Sequence, residues 1–122
     1  MTRFPPEILQ RLEATEEIDL ESRRRHTRAR RATIWAVVSD GKAYVRSIRG
    51  TAGPWYRELR AAREGILRLG RRAIPVRAVA VRSPKALREV SAAYRRKYRS
   101  SPYLSTVLTP RAVTATLRLE PR

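Results

Sequence analysis

Residues 33–48 read TIWAVVSDGKAYVRSI and form the clearest structural element that the sequence predicts. Two runs rich in β-branched and aromatic residues flank the dipeptide Asp40-Gly41, a pattern that predicts a β-hairpin with a two-residue type I′ turn. Such a turn also fixes the register of the two strands. The predicted opposing pairs are Ser39 and Lys42, Val37 and Tyr44, Trp35 and Arg46, and Ile34 and Ser47.

The two faces of this predicted hairpin carry different side chains. One face is small and aliphatic and is expected to form the core: Ile34, Ala36, Val38, Ala43, Val45 and Ser47. The other face carries Trp35, Val37, Tyr44 and Arg46. An indole directly opposite a guanidinium on that face predicts a cation–π pair or the wall of a pocket.

The rest of the chain predicts an α+β fold with at least five strands, mostly antiparallel, and helices at the corners. Pro6 and Pro54 each suit the first turn of a helix, and Ser83-Pro84 is typical of a capped helix start. Strands are expected at 66–69, at 73–82, and along the alternating Val113, Ala115, Leu117 and Leu119. We expect a single domain over 1–122, with an N-terminal helix and a basic connector in 1–31 and a barrel or curled sheet in 32–122.

The composition excludes several classes of site. The chain of 122 residues contains no cysteine and one histidine, His26. Disulfides, thiolate metal sites and cysteine nucleophiles are therefore ruled out, and a histidine-based metal cage cannot be built. No metal site is expected. No apolar run is long enough to cross a bilayer and no secretory signal is recognisable, so no membrane association and a cytoplasmic location are expected.

Charge is the strongest compositional signal, because 28 Lys and Arg face 11 Asp and Glu, for a formal net charge of +17. The densest run of cations is RRRHTRARR at 23–31. Arginine suits phosphate because its planar fork donates two parallel hydrogen bonds. The large number of arginines has a second explanation, a codon usage that favours arginine and scatters it over a solvated surface. An exposed run of this kind binds some polyanion at low salt, so nucleic acid stays a second candidate partner.

Several segments together resemble the core signature of a family of small bacterial proteins known as domain of unknown function 2255. These segments are 33–38, 44–50 (YVRSIRG), 53–57 (GPWYR), 93–98 (AYRRKY) and 116–121. The resemblance extends from about Ile8 to Pro121. That family is in turn similar to the split β-barrel flavoproteins, especially the deazaflavin-dependent nitroreductases. In those relatives a basic loop with a small hydroxyl residue precedes the first barrel strand, and here Arg25–Arg31 with Thr27 matches it.

The resemblance implies a small, mostly antiparallel split β-barrel of the FMN-binding type with peripheral helices. It implies FMN or the deazaflavin coenzyme as a phosphate-bearing cofactor, and hydride transfer to a small organic acceptor. Residues expected to hold the phosphate tail are Arg28, Arg30, Arg46, Ser47, Arg49, Gly50 and Arg57. Residues expected to border the ring are Trp35, Trp55 and Tyr56, while Lys97 and Tyr98 are expected on the substrate side. Such relatives often pair, so a homodimer is also expected.

Each of these assignments has a simpler alternative. The glycines at 50 and 53 can serve a turn, the aromatic residues can be core, and Lys97 can be a solvated lysine. The sequence offers no acid/base or nucleophile constellation, so any chemistry must be carried by a cofactor. The alternatives to a flavin-type oxidoreductase are a non-catalytic basic module that binds nucleic acid and a cofactor-free barrel that serves as a dimerising scaffold.

Overall fold

The computed structural model describes residues 3–22 and 30–122 of the chain. Within these residues the helices are α1 (Pro6–Ala14), α2 (Pro54–Ala62), α3 (Pro84–Lys97) and α4 (Pro110–Thr114). The strands are β1 (Ile18–Ser22), β2 (Arg30–Ile34), β3 (Ala36–Ser39), β4 (Lys42–Arg46), β5 (Glu64–Leu69), β6 (Arg72–Ala80) and β7 (Thr116–Pro121). Short 3₁₀ turns lie at Gly50–Ala52 and Leu104–Val107.

The seven strands of the described residues form one antiparallel sheet in the order β2-β1-β5-β6-β7-β4-β3. The two edge strands, β2 and β3, are joined by Trp35 alone. Because one residue spans only a few ångströms, the sheet must curl until its two edges meet. The fold is therefore an α+β split β-barrel with peripheral helices, and the predicted fold class is confirmed.

The β3–β4 hairpin confirms the predicted turn but shortens the predicted strands. Asp40 and Gly41 both have positive φ, at 52° and 71°, as a type I′ turn requires. The pairs Val37 with Tyr44 and Ser39 with Lys42 are present as predicted. The predicted pairings of Trp35 with Arg46 and of Ile34 with Ser47 are wrong, because the chain changes strand at Trp35. Ile34 pairs instead with Ile18 of β1.

Both faces of the hairpin are buried, whereas the sequence predicted a core on one face. Ala36, Ala43 and Val45 face the interior of the barrel and join its main hydrophobic cluster. Val37 and Tyr44 belong to a second cluster, in which Val90 and Tyr94 of α3 cover the outer face. The helix α3 therefore makes the outer face of β3 and β4 a second core, as the stripe of apolar residues along α3 requires.

Two other predicted segments differ from the structure. The segment predicted as a connector contains β1, in which Ile18 and Leu20 are buried and Asp19 and Glu21 are less so. The final strand begins at Thr116 rather than at Val113, because α4 occupies Pro110–Thr114. The side chain of Thr109 caps α4 by accepting a hydrogen bond from the backbone N–H of Ala112 at 3.1 Å.

Candidate cofactor site

A cavity of about 390 Å³ opens where the two edges of the sheet meet. We call it the tryptophan cavity, because both indoles of the chain line it. Trp35 comes from the junction of β2 and β3, and Trp55 comes from the first turn of α2. Its other lining residues are Glu17, Ala32, Thr33, Ile34, Arg46, Ser47, Ile48, Arg49, Gly53, Pro54, Tyr103, Thr106 and Val107. Apolar walls with a few polar groups are typical of small-molecule sites.

One end of the tryptophan cavity is polar and contains an unpartnered buried hydroxyl. Ser47 is 1% exposed, and its Oγ has no hydrogen-bond partner in the described part of the chain. A Cβ added at Gly53 would lie 2.5 Å from this Oγ, so only glycine leaves room for the hydroxyl. Buried hydroxyls without a partner are rare and costly. A ligand oxygen bound at this end would supply the missing partner.

The same end adjoins the N-terminus of α2. The first intrahelical bond of α2 runs from the N–H of Arg57 to the carbonyl of Gly53, so the N–H groups of Trp55 and Tyr56 precede the helical ladder. The partial positive charge of a helix N-terminus favours an anion. Arg49 is exposed and lines the cavity beside Ser47. The residues present therefore fit a ligand that has an apolar ring and an anionic tail.

Arg46 also lines this cavity, but its guanidinium is committed to the protein. The side chain is 2% exposed. Its Nε donates to Thr116 Oγ1 at 2.9 Å, and its terminal nitrogens donate to Ser91 Oγ, to the carbonyl of Val107 and to the carbonyl of Leu87, all within 3.0 Å. The guanidinium also lies 5.4 Å from the ring centre of Tyr94. Burial lowers the pKa of Arg46 from its ordinary value. Arg46 is thus placed to hold β4, α3 and β7 together rather than to offer a free fork to a phosphate.

A second cavity, of about 670 Å³, adjoins the first. We call it the lysine cavity. It shares Glu17, Trp35 and Tyr103 with the tryptophan cavity, and Lys97 and Tyr98 line it as well. Its remaining lining residues are Glu13, Ala14, Glu16, Ser100, Ser101 and Pro102. The two residues predicted on the substrate side therefore lie beside the tryptophan cavity and outside it.

Within the lysine cavity the predicted residues are held firmly. Trp35 stacks on Tyr98 with ring centres 3.9 Å apart and planes 5° from parallel. Lys97 Nζ donates to the carbonyls of Leu12 at 2.7 Å and Ala36 at 2.6 Å, so the alternative of a solvated lysine is wrong. Burial lowers the pKa of Lys97 to about 8, although the charge of Glu13 opposes the shift. The ammonium ties the end of α1 to β3.

Four predicted residues lie outside both cavities. Tyr56 is buried in the core and, with Arg57, lines a separate cavity. Each helical residue is rotated by about 100° from its neighbour, so Pro54 and Trp55 face the tryptophan cavity whereas Tyr56 and Arg57 do not. Gly50 has φ 71° and packs against Arg111, where a Cβ would collide with the arginine stem. Arg30 forms an ion pair with Glu58 at 2.9 Å. Arg28, like the rest of 23–29, lies outside the described residues.

The sequence prediction missed two residues at the mouth of the tryptophan cavity. Ile48 and Tyr103 are 53% and 67% exposed, and they are the large hydrophobic residues that the described chain leaves most accessible. Ile48 follows the predicted strand and was quoted only as part of a motif. Tyr103 lies in a segment that predicts only a loop, and no periodic pattern places it near the indoles.

Residues 3–22 and 30–122 contain no group of three or more His, Asp or Glu placed to hold a metal ion. None of their helices combines the length and the apolar character needed to cross a membrane.

The curled sheet defines the class of protein by its fold, the split β-barrels. The chain belongs to a family described as an uncharacterized protein conserved in bacteria (DUF2255), whose model matches residues 8–119. The resemblance noted in the sequence is thereby confirmed. Among proteins with curated descriptions, none matches the sequence of this chain.

Solved structures agree with the class at low sequence identity. HutZ, the heme storage protein from Vibrio cholerae, is similar with a TM-score of 0.67 and 12% identity over 98% of this chain and 91% of HutZ. An FAD-binding protein from Mesorhizobium loti is similar with a TM-score of 0.59 and 10% identity over 99% of this chain and 90% of that chain. A nimC/nimA family protein from Clostridium acetobutylicum has a TM-score of 0.57 and 10% identity over 94% of this chain and 76% of that chain. At such identities the likeness concerns the fold.

Proposed function

We propose that the chain binds a flavin-type cofactor, FMN or the deazaflavin coenzyme, in the tryptophan cavity, and that it acts as a nitroreductase-like oxidoreductase on a small organic acceptor. The observation that carries the proposal is the hydroxyl of Ser47. It is buried beside the N-terminus of α2 in a cavity lined by both indoles, and it has no hydrogen-bond partner among the described residues. The FAD-binding protein from Mesorhizobium loti with the same fold supports it.

The residues of the chain would bind and orient the group. Ser47 Oγ, the first N–H groups of α2 and the guanidinium of Arg49 would hold the anionic tail, and Trp35 and Trp55 would border the ring. A bound flavin-type group supplies hydride transfer, which the side chains of this protein do not supply. The apolar walls would exclude water from the ring. An acceptor in the lysine cavity would lie beside the ring, because the two cavities share the indole of Trp35.

The test uses the hydroxyl that lacks a partner. Ser47→Ala removes no hydrogen bond of the part of the chain that the structure describes, so the free energy of unfolding is expected to stay within about 0.5 kcal/mol of the wild type. The affinity for FMN or for the deazaflavin coenzyme, measured by fluorescence titration with each, is expected to fall about tenfold because one hydrogen bond to a charged tail is lost. The better of the two ligands identifies the cofactor.

The matched control is Ser22, a second buried serine. Its Oγ donates to Glu58 Oε2 at 3.2 Å, so Ser22→Ala is expected to lower the free energy of unfolding by about 1 kcal/mol. If neither ligand binds the wild-type chain, or if Ser47→Ala binds both as tightly as the wild type, the proposal fails. A barrel without a cofactor then becomes the better description.

A further inference from the structure

A third cavity, of about 510 Å³, is separate from the two already described. We call it the arginine cavity. It shares no lining residue with the tryptophan cavity or the lysine cavity. Three arginines line it, Arg57 and Arg60 from α2 and Arg82 from the segment after β6. The other lining residues are Thr51, Tyr56, Ala80, Val81 and Thr114, and none of the eight is acidic.

The three guanidinium groups have no counterion in the described chain. Neither an ion pair nor a side-chain hydrogen bond within residues 3–22 and 30–122 involves Arg57, Arg60 or Arg82. Some other arginines of the chain do have a counterion. Arg68 meets Glu21 at 3.0 Å, and Arg122 meets Glu64 at 3.0 Å. The arginine cavity is thus a place where positive charge is concentrated without compensation.

The geometry of α2 makes this arrangement unfavourable unless an anion is bound. Arg57 and Arg60 are three residues apart, so they project from one face of the helix, where like charges repel. Two of the lining side chains are buried, Tyr56 at 7% exposure and Val81 at 8% exposure. Buried protein next to exposed guanidinium groups is less polar than water and strengthens their attraction for an anion.

We propose that the arginine cavity is a second anion site, which binds a ligand carrying at least two phosphate groups. Three guanidinium groups carry a charge of +3, whereas a single phosphate monoester carries only about −1.5 to −2 at neutral pH. A diphosphate matches the charge, and the planar forks of arginine bind its oxygens in pairs. The hydroxyl of Thr51 at the rim is a further donor. The site does not depend on the tryptophan cavity.

The test is calorimetric titration of the full chain with inorganic pyrophosphate at physiological ionic strength. The variant Arg57→Ala/Arg60→Ala/Arg82→Ala is expected to bind pyrophosphate at least about 100-fold more weakly, because several charged hydrogen bonds are lost. The charge-matched control Arg88→Ala/Arg96→Ala/Arg99→Ala removes three exposed cations of the α3 region and is expected to keep the affinity within about threefold. Equal losses in the two variants, or no binding to the wild type, would overturn the proposal.

Three further measurements complete the test. If the triple variant does not fold, the single variant Arg82→Gln, outside any helix or strand, is used, and its affinity is expected to fall about tenfold. A ten-residue thymidine oligonucleotide distinguishes the source of the phosphates. Displacement of pyrophosphate by the oligonucleotide indicates a nucleic-acid backbone, and its absence indicates a small diphosphate. Titration of the triple variant with FMN tests the tryptophan cavity separately, and its affinity is expected to stay unchanged.

Discussion

Replacement of Arg46 by methionine tests whether this buried cation is a structural tie. The change removes four hydrogen bonds, to Thr116 Oγ1, Ser91 Oγ and the carbonyls of Val107 and Leu87. The two hydroxyls can rotate to other partners, and Leu87 lies inside α3, where its carbonyl accepts a helical bond. The carbonyl of Val107, at the end of a 3₁₀ turn, is left as the main buried acceptor without a donor.

The magnitude follows from these contacts. The lost hydrogen bonds to a charged donor and the one buried carbonyl left without a donor together lower the free energy of unfolding by several kcal/mol. Removal of a buried charge offsets part of this loss, because the charge no longer has to be desolvated on folding. We expect Arg46→Met to lower the free energy of unfolding by about 3 kcal/mol, and the melting temperature by about 10 °C. Urea denaturation followed by circular dichroism measures the difference. The control Arg88→Met, at an exposed position of α3, is expected to change stability by less than about 0.5 kcal/mol.

A second variant separates charge from hydrogen-bond geometry. Arg46→Lys keeps the charge but loses the planar fork, so it leaves a buried cation with fewer partners. We expect Arg46→Lys to be no more stable than Arg46→Met. The free energy of unfolding of Arg46→Met could instead lie within about 1 kcal/mol of the wild-type value, or Arg46→Lys could be as stable as the wild type. Either result would show that Arg46 does not hold these elements together, and its guanidinium would then be available to a ligand in the tryptophan cavity.

Three other predictions concern the residues around the two adjoining cavities. Burial lowers the pKa of Lys97 to about 8 from 10.5, so the unfolded chain binds the proton of the Lys97 ammonium more tightly than the folded chain does. The free energy of unfolding is therefore expected to rise by about 1–2 kcal/mol between pH 7.5 and 9.5. Urea midpoints across this range should show the rise in the wild type, and a rise of the same size in Lys97→Met would contradict it. Gly53→Ala places a methyl group against Ser47 Oγ and is expected to cost about 1–2 kcal/mol, which the double variant with Ser47→Ala largely recovers. A double-mutant cycle without coupling would refute this. Trp35→Leu removes the stack on Tyr98 and is expected to cost about 1–2 kcal/mol in urea denaturation while weakening FMN binding. Unchanged affinity for FMN would remove Trp35 from the proposed site.

The parts of the fold that the sequence predicted are those with strong local signals. The Asp40-Gly41 turn and the serine cap before Pro84 each have a mechanism that acts within a few residues. Thr109-Pro110 is the same kind of helix-start signal as Ser83-Pro84. The sequence nevertheless predicted a strand from Val113, because the residues there alternate between apolar and polar. The strand β1 was missed because only Ile18 and Leu20 supply apolar alternation in an acidic stretch.

The sequence predicted which residues form the candidate site better than it predicted how they are arranged. The sequence brought Trp35, Ser47 and Trp55 together through the family resemblance, and the structure places all three around one cavity. It could not predict that Arg46 is committed to internal acceptors, because those acceptors lie between 41 and 70 residues away in the chain. The rotation that sends Tyr56 to another cavity follows from helix geometry, but only once the start of α2 is known.

The total charge of this chain is a weaker guide to function than the distribution of its counterions. A net charge of +17 is consistent with binding to almost any polyanion. The structure divides the described arginines into those that meet a carboxylate, such as Arg30, Arg68 and Arg122, and those that do not. Three of the second group surround one cavity without an acidic residue, while the lysine cavity is lined by three glutamates. Because repulsion within a cluster of like charges is relieved by a bound anion, we expect the arginine cavity to convert the excess charge of the described residues into specific affinity. Generic attraction would instead weaken equally whichever three exposed arginines were removed.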